Sequence, residues 1–208
     1  MTLESQIAGG VAAMGIDLPE GAAGKLAGYL ALVEKWNRVH NLTAVRSTEQ
    51  MVPLHVLDSL SILSHLADAA NIVDVGTGAG LPGIPLAIAR PAMRVALLDS
   101  NHKKCAFLQQ ARTELALANV DVVCDRVESW RPDAKFDVAV SRAFSDLADF
   151  VGQAAHLVAP GGRLIAMKGV HPFDEIARVP ATHRVSRVLE LAVPGLDARR
   201  HAVFLEAA

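Results

Sequence analysis

The segment VDVGTGAGLPGIPLAIA, from Val73 to Ala89, constrains this chain more than any other stretch. Gly76, Gly78 and Gly80 alternate, Gly83 follows Pro82, and apolar residues lie on both sides. A chain leaves a strand through spaced glycines and enters a helix for one of two reasons: the backbone must turn tightly, or something large must lie against it. The following residues place this turn in a series. NIVDV, RVALLD, VDVVC, FDVAVSRA and RLIAMKG are short apolar runs of strand length. Between them stand the helical patterns PGIPLAIA, HKKCAFLQQARTELAL (Leu108, Ala111 and Leu115 on one face) and DLADFVGQAAHLV, with a turn at APGG. Strands alternating with helices predict βαβ units, hence a doubly wound α/β fold whose mostly parallel sheet has helices on both faces. RVSRVLEL and RRHAVFL are also β-prone and are expected to form a hairpin-like pair at one sheet edge.

Before about Ala70 the texture is helical. GKLAGYLALVEKWNRV sets Leu26, Tyr29, Leu30, Val33 and Trp36 along one face, and Trp36 is read as core. Asn41 and Thr43 break the pattern, and STEQMVPLHVLDSLSILSHL restarts it with Ser47 as N-cap and Gln50 at the capping-box position. Residues 1–70 are therefore expected to be an N-terminal helical cap of the same domain, and 71–208 its ligand-binding part. A length of 208 residues suits one substantial core. The net charge of −2 means that any nucleic-acid partner must be met by a local basic patch, because phosphate neutralisation drives such binding. Apolar runs are short and the N-terminus lacks a signal-peptide pattern, so a cytoplasmic protein without a membrane span is expected. Cys105 and Cys124 form no CxxC pair and are read as reduced, buried structural residues.

In such a sheet, ligands bind beyond the carboxyl ends of the strands, where strand order reverses. Gly76 can take a backbone conformation denied to other residues, and Gly78 presents no side chain to a ligand. Asp99 ends the second strand about 20 residues beyond the glycines, where a carboxylate accepts hydrogen bonds from ribose hydroxyls. The dinucleotide fingerprint G-x-G-x-x-G would need glycine where Leu81 stands; Gly80 comes one residue early and Pro82 lacks an N–H for a phosphate. The spacing suits a ribose ligand without pyrophosphate, such as S-adenosyl-L-methionine. Asp74 is then expected to help hold the amino group of its tail, directly or through water. Glu128, in CDRVESW, is expected to accept from the adenine amino group while the backbone beside Val127 meets the ring edge.

VDVGTGAGLPGIPLAI, LLDS, FDVAVSRAF and MKG, with WNRVHNLTAVR and HVLDSL upstream, resemble the bacterial 16S ribosomal RNA guanine-N7 methyltransferases, the glucose-inhibited division protein B family. The similarity runs from about Leu32 to Gly169, and GTGAGLPGIPL followed by SRAF is far more specific than a generic glycine loop. The resemblance implies a class I, Rossmann-like methyltransferase fold and S-adenosyl-L-methionine as methyl donor. It implies as acceptor a single guanine in the 530 loop of 16S rRNA, met on the small ribosomal subunit or its assembly intermediate. Carried over by motif, it places cofactor contacts at Gly76, Leu81, Val127, Glu128 and Arg142, which join Asp74, Gly78, Gly80 and Asp99 from the residue reading.

Guanine N7 carries a lone pair in the neutral base, so methyl transfer to it needs positioning and no general base. The residue types agree. SRAF stands where exocyclic-amine methylases usually carry a DPPY-like loop, and no cysteine is placed to attack a pyrimidine. Arg142 is expected to contact cofactor or RNA backbone, since pairing with the guanine O6/N7 edge would block the reacting atom. Arg38, Asn41, Arg46 and His55, in a basic group with Lys35 and His40, are expected to position RNA, with Lys168 toward a phosphate and Phe144 to stack on an extruded base. His55 and Asp58 lie on one helical face without a third ligand at metal spacing, so no metal is expected. Two other readings compete: an NAD-dependent oxidoreductase, and a non-catalytic ribosome-assembly factor that retains the fold. A monomer is the default.

Overall fold

The alternating apolar runs become one seven-stranded sheet in a computed structural model that describes residues 2–142, 144 and 146–208. Its strands are β1 (Asn71–Val75), β2 (Arg94–Asp99), β3 (Val120–Cys124), β4 (Phe136–Ser141), β5 (Val158–Lys168), β6 (His183–Glu190) and β7 (His201–Ala207). The spatial order is β3-β2-β1-β4-β5-β7-β6. β1 through β5 run parallel, whereas β7 pairs antiparallel with both β5 and β6. Strand order reverses between β1 and β4, which opens a crevice at their carboxyl ends.

Two apolar layers sandwich the sheet, as the period-2 alternation of strand side chains requires. Ile72, Leu97, Val140 and Ile165 face one layer, which is built from α1 (Leu3–Ala13), α2 (Ala22–His40), residues 48–66, α5 (Gly83–Ala89) and α6 (His102–Glu114). Val73, Leu98, Ala139 and Leu164 face the other, filled by Leu147, Phe150, Val151 and Ala154 of α7 (Leu147–Ala154). A short α8 (Phe173–Ile176) follows β5. No helix among the described residues is long and apolar enough to cross a membrane.

Several local expectations change. APGG does not end a helix with a simple turn; it lies within β5, whose pairing with β4 jumps from Phe136↔Val158 to Val138↔Arg163. The bulge accommodates Gly161 at φ +81°, and a side chain on Gly162 would strike the Asp137 carbonyl at 2.6 Å. α6 stops before Leu115 because Ala116 takes φ +50°. The run from 48 to 66 is broken rather than continuous: α3 (Thr48–Met51), a π-helical turn Val52–Leu57, α4 (Asp58–Leu60) and a 3₁₀ turn Leu63–Leu66. Ser47 caps it, accepting from the Gln50 N–H at 3.4 Å. Cys105 is buried, and burial pushes its thiol up to about 12. Cys124 is exposed, which corrects the expectation of two buried cysteines: it ends β3, a sheet-edge strand with little covering it.

The helical residues before β1 are joined to the glycine loop by one buried bond. Tyr29 is wholly buried, and its hydroxyl donates to the Ala79 carbonyl at 2.6 Å. Burial raises the hydroxyl's pKa, so it stays a donor throughout the usual pH range. Trp36, read as core, is half-buried and meets the Phe107 ring edge-on with centroids 5.6 Å apart. In Tyr29→Phe the Ala79 carbonyl would be left buried and unpaired, at a cost of about 1–3 kcal/mol. Urea unfolding should show that loss; an unchanged midpoint and slope would deny the bond a structural role.

Candidate functional site

The loop after β1 is shaped from beneath by Asp74. This carboxyl is fully buried; its Oδ2 accepts from Thr77 Oγ1 at 2.6 Å and from the Gly83 N–H at 2.7 Å. Burial pushes its pKa up to about 7, against the opposing effect of those two bonds. Gly76 and Gly83 are required for opposite reasons. At Gly83 a Cβ would fall 2.3 Å from Leu97 Cδ2 and 2.8 Å from Asp74 Oδ2, so only glycine lets the helix start this close to the sheet. At Gly76 the backbone has φ +67° and a Cβ would meet nothing within 4 Å, so the chain there borders open space.

That space is a cleft of about 490 Å³ lined by Gly76, Asp99, Lys104, Val127, Glu128 and Phe144, among others. It lies at the carboxyl ends of β1, β2 and β3, and its volume suits a small-molecule ligand. Asp99 forms part of its floor, with Oδ2 accepting from the Gly78 N–H and Oδ1 from the Asn101 N–H, each at 2.9 Å. Lys104 Nζ stands 3.7 Å from the same carboxylate. The Glu128 carboxylate is half-exposed, 3.6 Å from Arg126. Phe144 leans on Phe150 with ring centroids 5.0 Å apart. The structure thus brings Gly76, Asp99, Val127 and Glu128 together as the sequence suggested. Asp74, Gly80 and Leu81 lie under the loop instead: Leu81 is buried, and a Cβ on Gly80 would collide with Ile84.

A second cleft of about 350 Å³ opens beside the ends of β4 and β5, lined by His55, Asp58, Arg142, Lys168, Gly169 and Arg200, among others. Arg142 Nη1 donates to the Leu54 carbonyl at 2.9 Å and to Asp58 Oδ2 at 3.1 Å, while Arg200 Nε lies 3.2 Å from Asp58 Oδ1. Burial raises the Asp58 pKa and the two guanidiniums oppose that rise. His55 is buried, its Nε2 is 2.9 Å from Thr43 Oγ1, and burial followed by the Arg142 charge pushes its pKa down to about 4. It is therefore neutral, not a member of a cationic group. Lys168 Nζ lies 2.7 Å from Glu175 Oε2 and donates to the Phe144 carbonyl at 2.9 Å, which ties the two clefts together.

The other RNA candidates sit apart from both linings. Arg38 is exposed and paired with Glu34 at 3.0 Å. Asn41 ends α2 at φ 48°, and its Oδ1 accepts from Arg46 at 3.3 Å. Sequence reasoning missed Tyr29 as a loop support, Asp58 as an ion-pair hub, and Arg200 altogether. An acid in the middle of the apolar run VPLHVLDSL was the available signal for Asp58; Arg200 gave none. A wider groove, about 860 Å³ along Met14, Leu60, Leu191 and Pro194, touches none of these residues. Among the described residues no cluster of three or more His, Cys, Asp or Glu side chains is arranged to hold a metal ion.

With this geometry in view, comparison with known proteins decides the family. The family model described as rRNA small subunit methyltransferase G (GidB) matches residues 22–203. This chain belongs to that family. A relative from Nitrosospira multiformis named ribosomal RNA small subunit methyltransferase G is 55% identical, covering all of this chain and 99% of its own. One of the same name from Chromobacterium violaceum is 53% identical across 98% of each. Among solved structures, the fold resembles a SAM-dependent methyltransferase from Aquifex aeolicus (TM-score 0.58, 20% identity, 76% of this chain and 93% of that one). It also resembles the O-methyltransferase TomG from Streptomyces achromogenes, solved with SAM (TM-score 0.59, 16% identity, 100% and 99% covered). The fold is that of the class I methyltransferases.

The buried imidazole makes a pH prediction. His55 is lowered from 6.5 to about 4 on folding, so the unfolded chain binds a proton at a higher pH than the folded one. Its contribution to stability is complete above pH 6.5 and is lost as pH falls toward 4. Asp74, raised on folding, contributes the opposite slope over an overlapping range, so the informative comparison is between variant and wild type. In thermal melts from pH 7 downward, His55→Gln should lose stability less steeply than wild type; parallel slopes would contradict the buried neutral state.

Proposed function

We propose that this enzyme transfers a methyl group from S-adenosyl-L-methionine to N7 of a guanine in the 530 loop of 16S rRNA, carried by the small ribosomal subunit or its assembly intermediate. The observation that carries the donor assignment is the open backbone at Gly76 beside the Asp99 carboxylate, at the point where strand order reverses. The residues present fit the donor: a cradle that a Cβ would begin to fill, an acid at the end of β2, and an acid with adjacent backbone after β3. Family membership and the relatives' names support rRNA as the acceptor.

When bound, S-adenosyl-L-methionine supplies an electrophilic methyl carbon on a cationic sulfur. The chain's part is then to bind and orient. Asp99 accepts from ribose hydroxyls with lone pairs left over from the Gly78 and Asn101 N–H groups. Glu128 and the backbone at Val127 read the adenine edge, and Phe144 closes one wall. Asp74 acts through the loop it shapes, not by touching the tail. Arg142, expected from the resemblance at the donor, lines the second cleft instead of the first, and its bonds to the Leu54 carbonyl and Asp58 hold it on the acceptor side. Guanine N7 needs no proton removed, and the residues agree: His55 is neutral and bonded to Thr43, and Asp58 is committed to two guanidiniums.

Two measurements test this reading. Calorimetry should show S-adenosylhomocysteine binding and no heat with NAD, and Gly76→Val should abolish the binding because a branched side chain would occupy the cradle in an unfavourable backbone conformation. Labelled donor incubated with small subunits from cells lacking this gene should yield 7-methylguanosine at one position. No label, or label on another base, would overturn the acceptor assignment.

A further inference from the structure

The second cleft holds a charge arrangement that donor binding does not use. Asp58 is 3% exposed and faces two guanidiniums, Arg142 and Arg200, which remain 24% and 22% exposed. Lys168 is matched by Glu175. Two guanidiniums against one buried carboxylate leave a local positive charge in a chain whose net charge is −2. The Arg200 backbone is fixed, since its carbonyl accepts from the Leu191 N–H at 2.7 Å. Its guanidinium lies over the end of β5, where a side chain on Gly169 would meet Nη1 at 3.9 Å.

Next to this charge stands an aromatic step. Phe173 is 73% exposed and stacks on His171 with centroids 3.8 Å apart; His171 in turn meets His201, the neighbour of Arg200, edge-on at 5.5 Å. Val170, directly after Gly169, is 75% exposed. An anion-binding fork beside an exposed ring is the chemistry that receives an unpaired nucleotide: phosphate on the guanidinium, base on the ring face.

We propose that this cleft seats the acceptor strand, with Arg200 holding the phosphodiester of an unpaired nucleotide and Asp58 as the positioning residue that aims Arg200 while anchoring Arg142. The inference rests on the RNA methyltransferase reading and adds to it two residues that do not touch the donor. Asp58 organises the cleft: its Oδ2 holds Arg142, the residue that follows β4, and its Oδ1 holds Arg200, the arginine at the acceptor phosphate. Phosphate on Arg200 also leaves the guanine N7 edge unobstructed.

The test uses the full chain, labelled donor and small subunits from cells lacking this gene, with initial rates measured across a range of salt. Arg200→Ala should raise the KM for subunits about tenfold, the loss expected for one charge-assisted contact. The slope of log kcat/KM against log salt should become shallower by about 0.7 to 1, the value of one released phosphate contact. S-adenosylhomocysteine affinity should equal that of wild type. Arg200→Lys keeps the charge without the fork, so it should restore the salt slope and only part of the KM. Asp58→Asn should show the Arg200→Ala pattern in KM and salt slope, with its fold checked by circular dichroism. An Arg200→Ala enzyme with wild-type KM and salt slope, or one that loses donor affinity, would overturn the assignment. Failure of the wild-type enzyme to methylate subunits would instead strike the proposed function itself.

Discussion

The site depends on one buried carboxyl. Asp74 has no exposure to water, and it ties the Thr77 hydroxyl and the Gly83 N–H to a single oxygen. Those two bonds fix where the loop leaves β1 and where α5 begins. Burying an acid costs free energy, and its raised pKa is the signature of that cost. The return is positional: Gly76 faces open space, the Gly78 N–H reaches Asp99, and α5 enters against Leu97. Without the clamp, a loop of three positive-φ glycines has many conformations and little reason to prefer this one.

The helices before β1 make up more than a lid over this arrangement. α2 braces the loop through Tyr29 and Ala79, and the π-helical turn carries His55 and leads into Asp58 in the lining of the second cleft. The loop after β4 meets them there through Arg142. Residues from before β1 and after β4 thus line the second cleft together, and the bond from Lys168 to the Phe144 carbonyl links it to the first from the β5 side. For the transfer proposed, which needs alignment rather than proton movement, a fixed link between the two clefts is the useful feature.

The five parallel strands were legible because buried strands read as short β-branched runs between helical patterns, and a cleft at their carboxyl ends followed from their order. Gly76, Asp99 and Val127–Glu128 each stand at a strand's carboxyl end, so sequence position alone brings them together. Where sequence reasoning failed, tertiary context overruled local pattern. APGG has turn composition, yet pairing with β4 on either side holds it as a bulge. Cys124 follows apolar residues, yet it ends an edge strand. His55 belongs by sequence to a basic group, yet burial discharges it. Arg200 carries no local signal, because its partner Asp58 lies in a helical segment near the other end of the chain.

Titration calorimetry of S-adenosylhomocysteine into Thr77→Val tests the clamp most directly. Valine keeps the shape of threonine and puts a methyl group in place of the hydroxyl that donates to Asp74. Binding weakened by about tenfold or more, in a protein that melts cooperatively, is the predicted result. Affinity equal to wild type would contradict the dependence of the cradle on that buried bond.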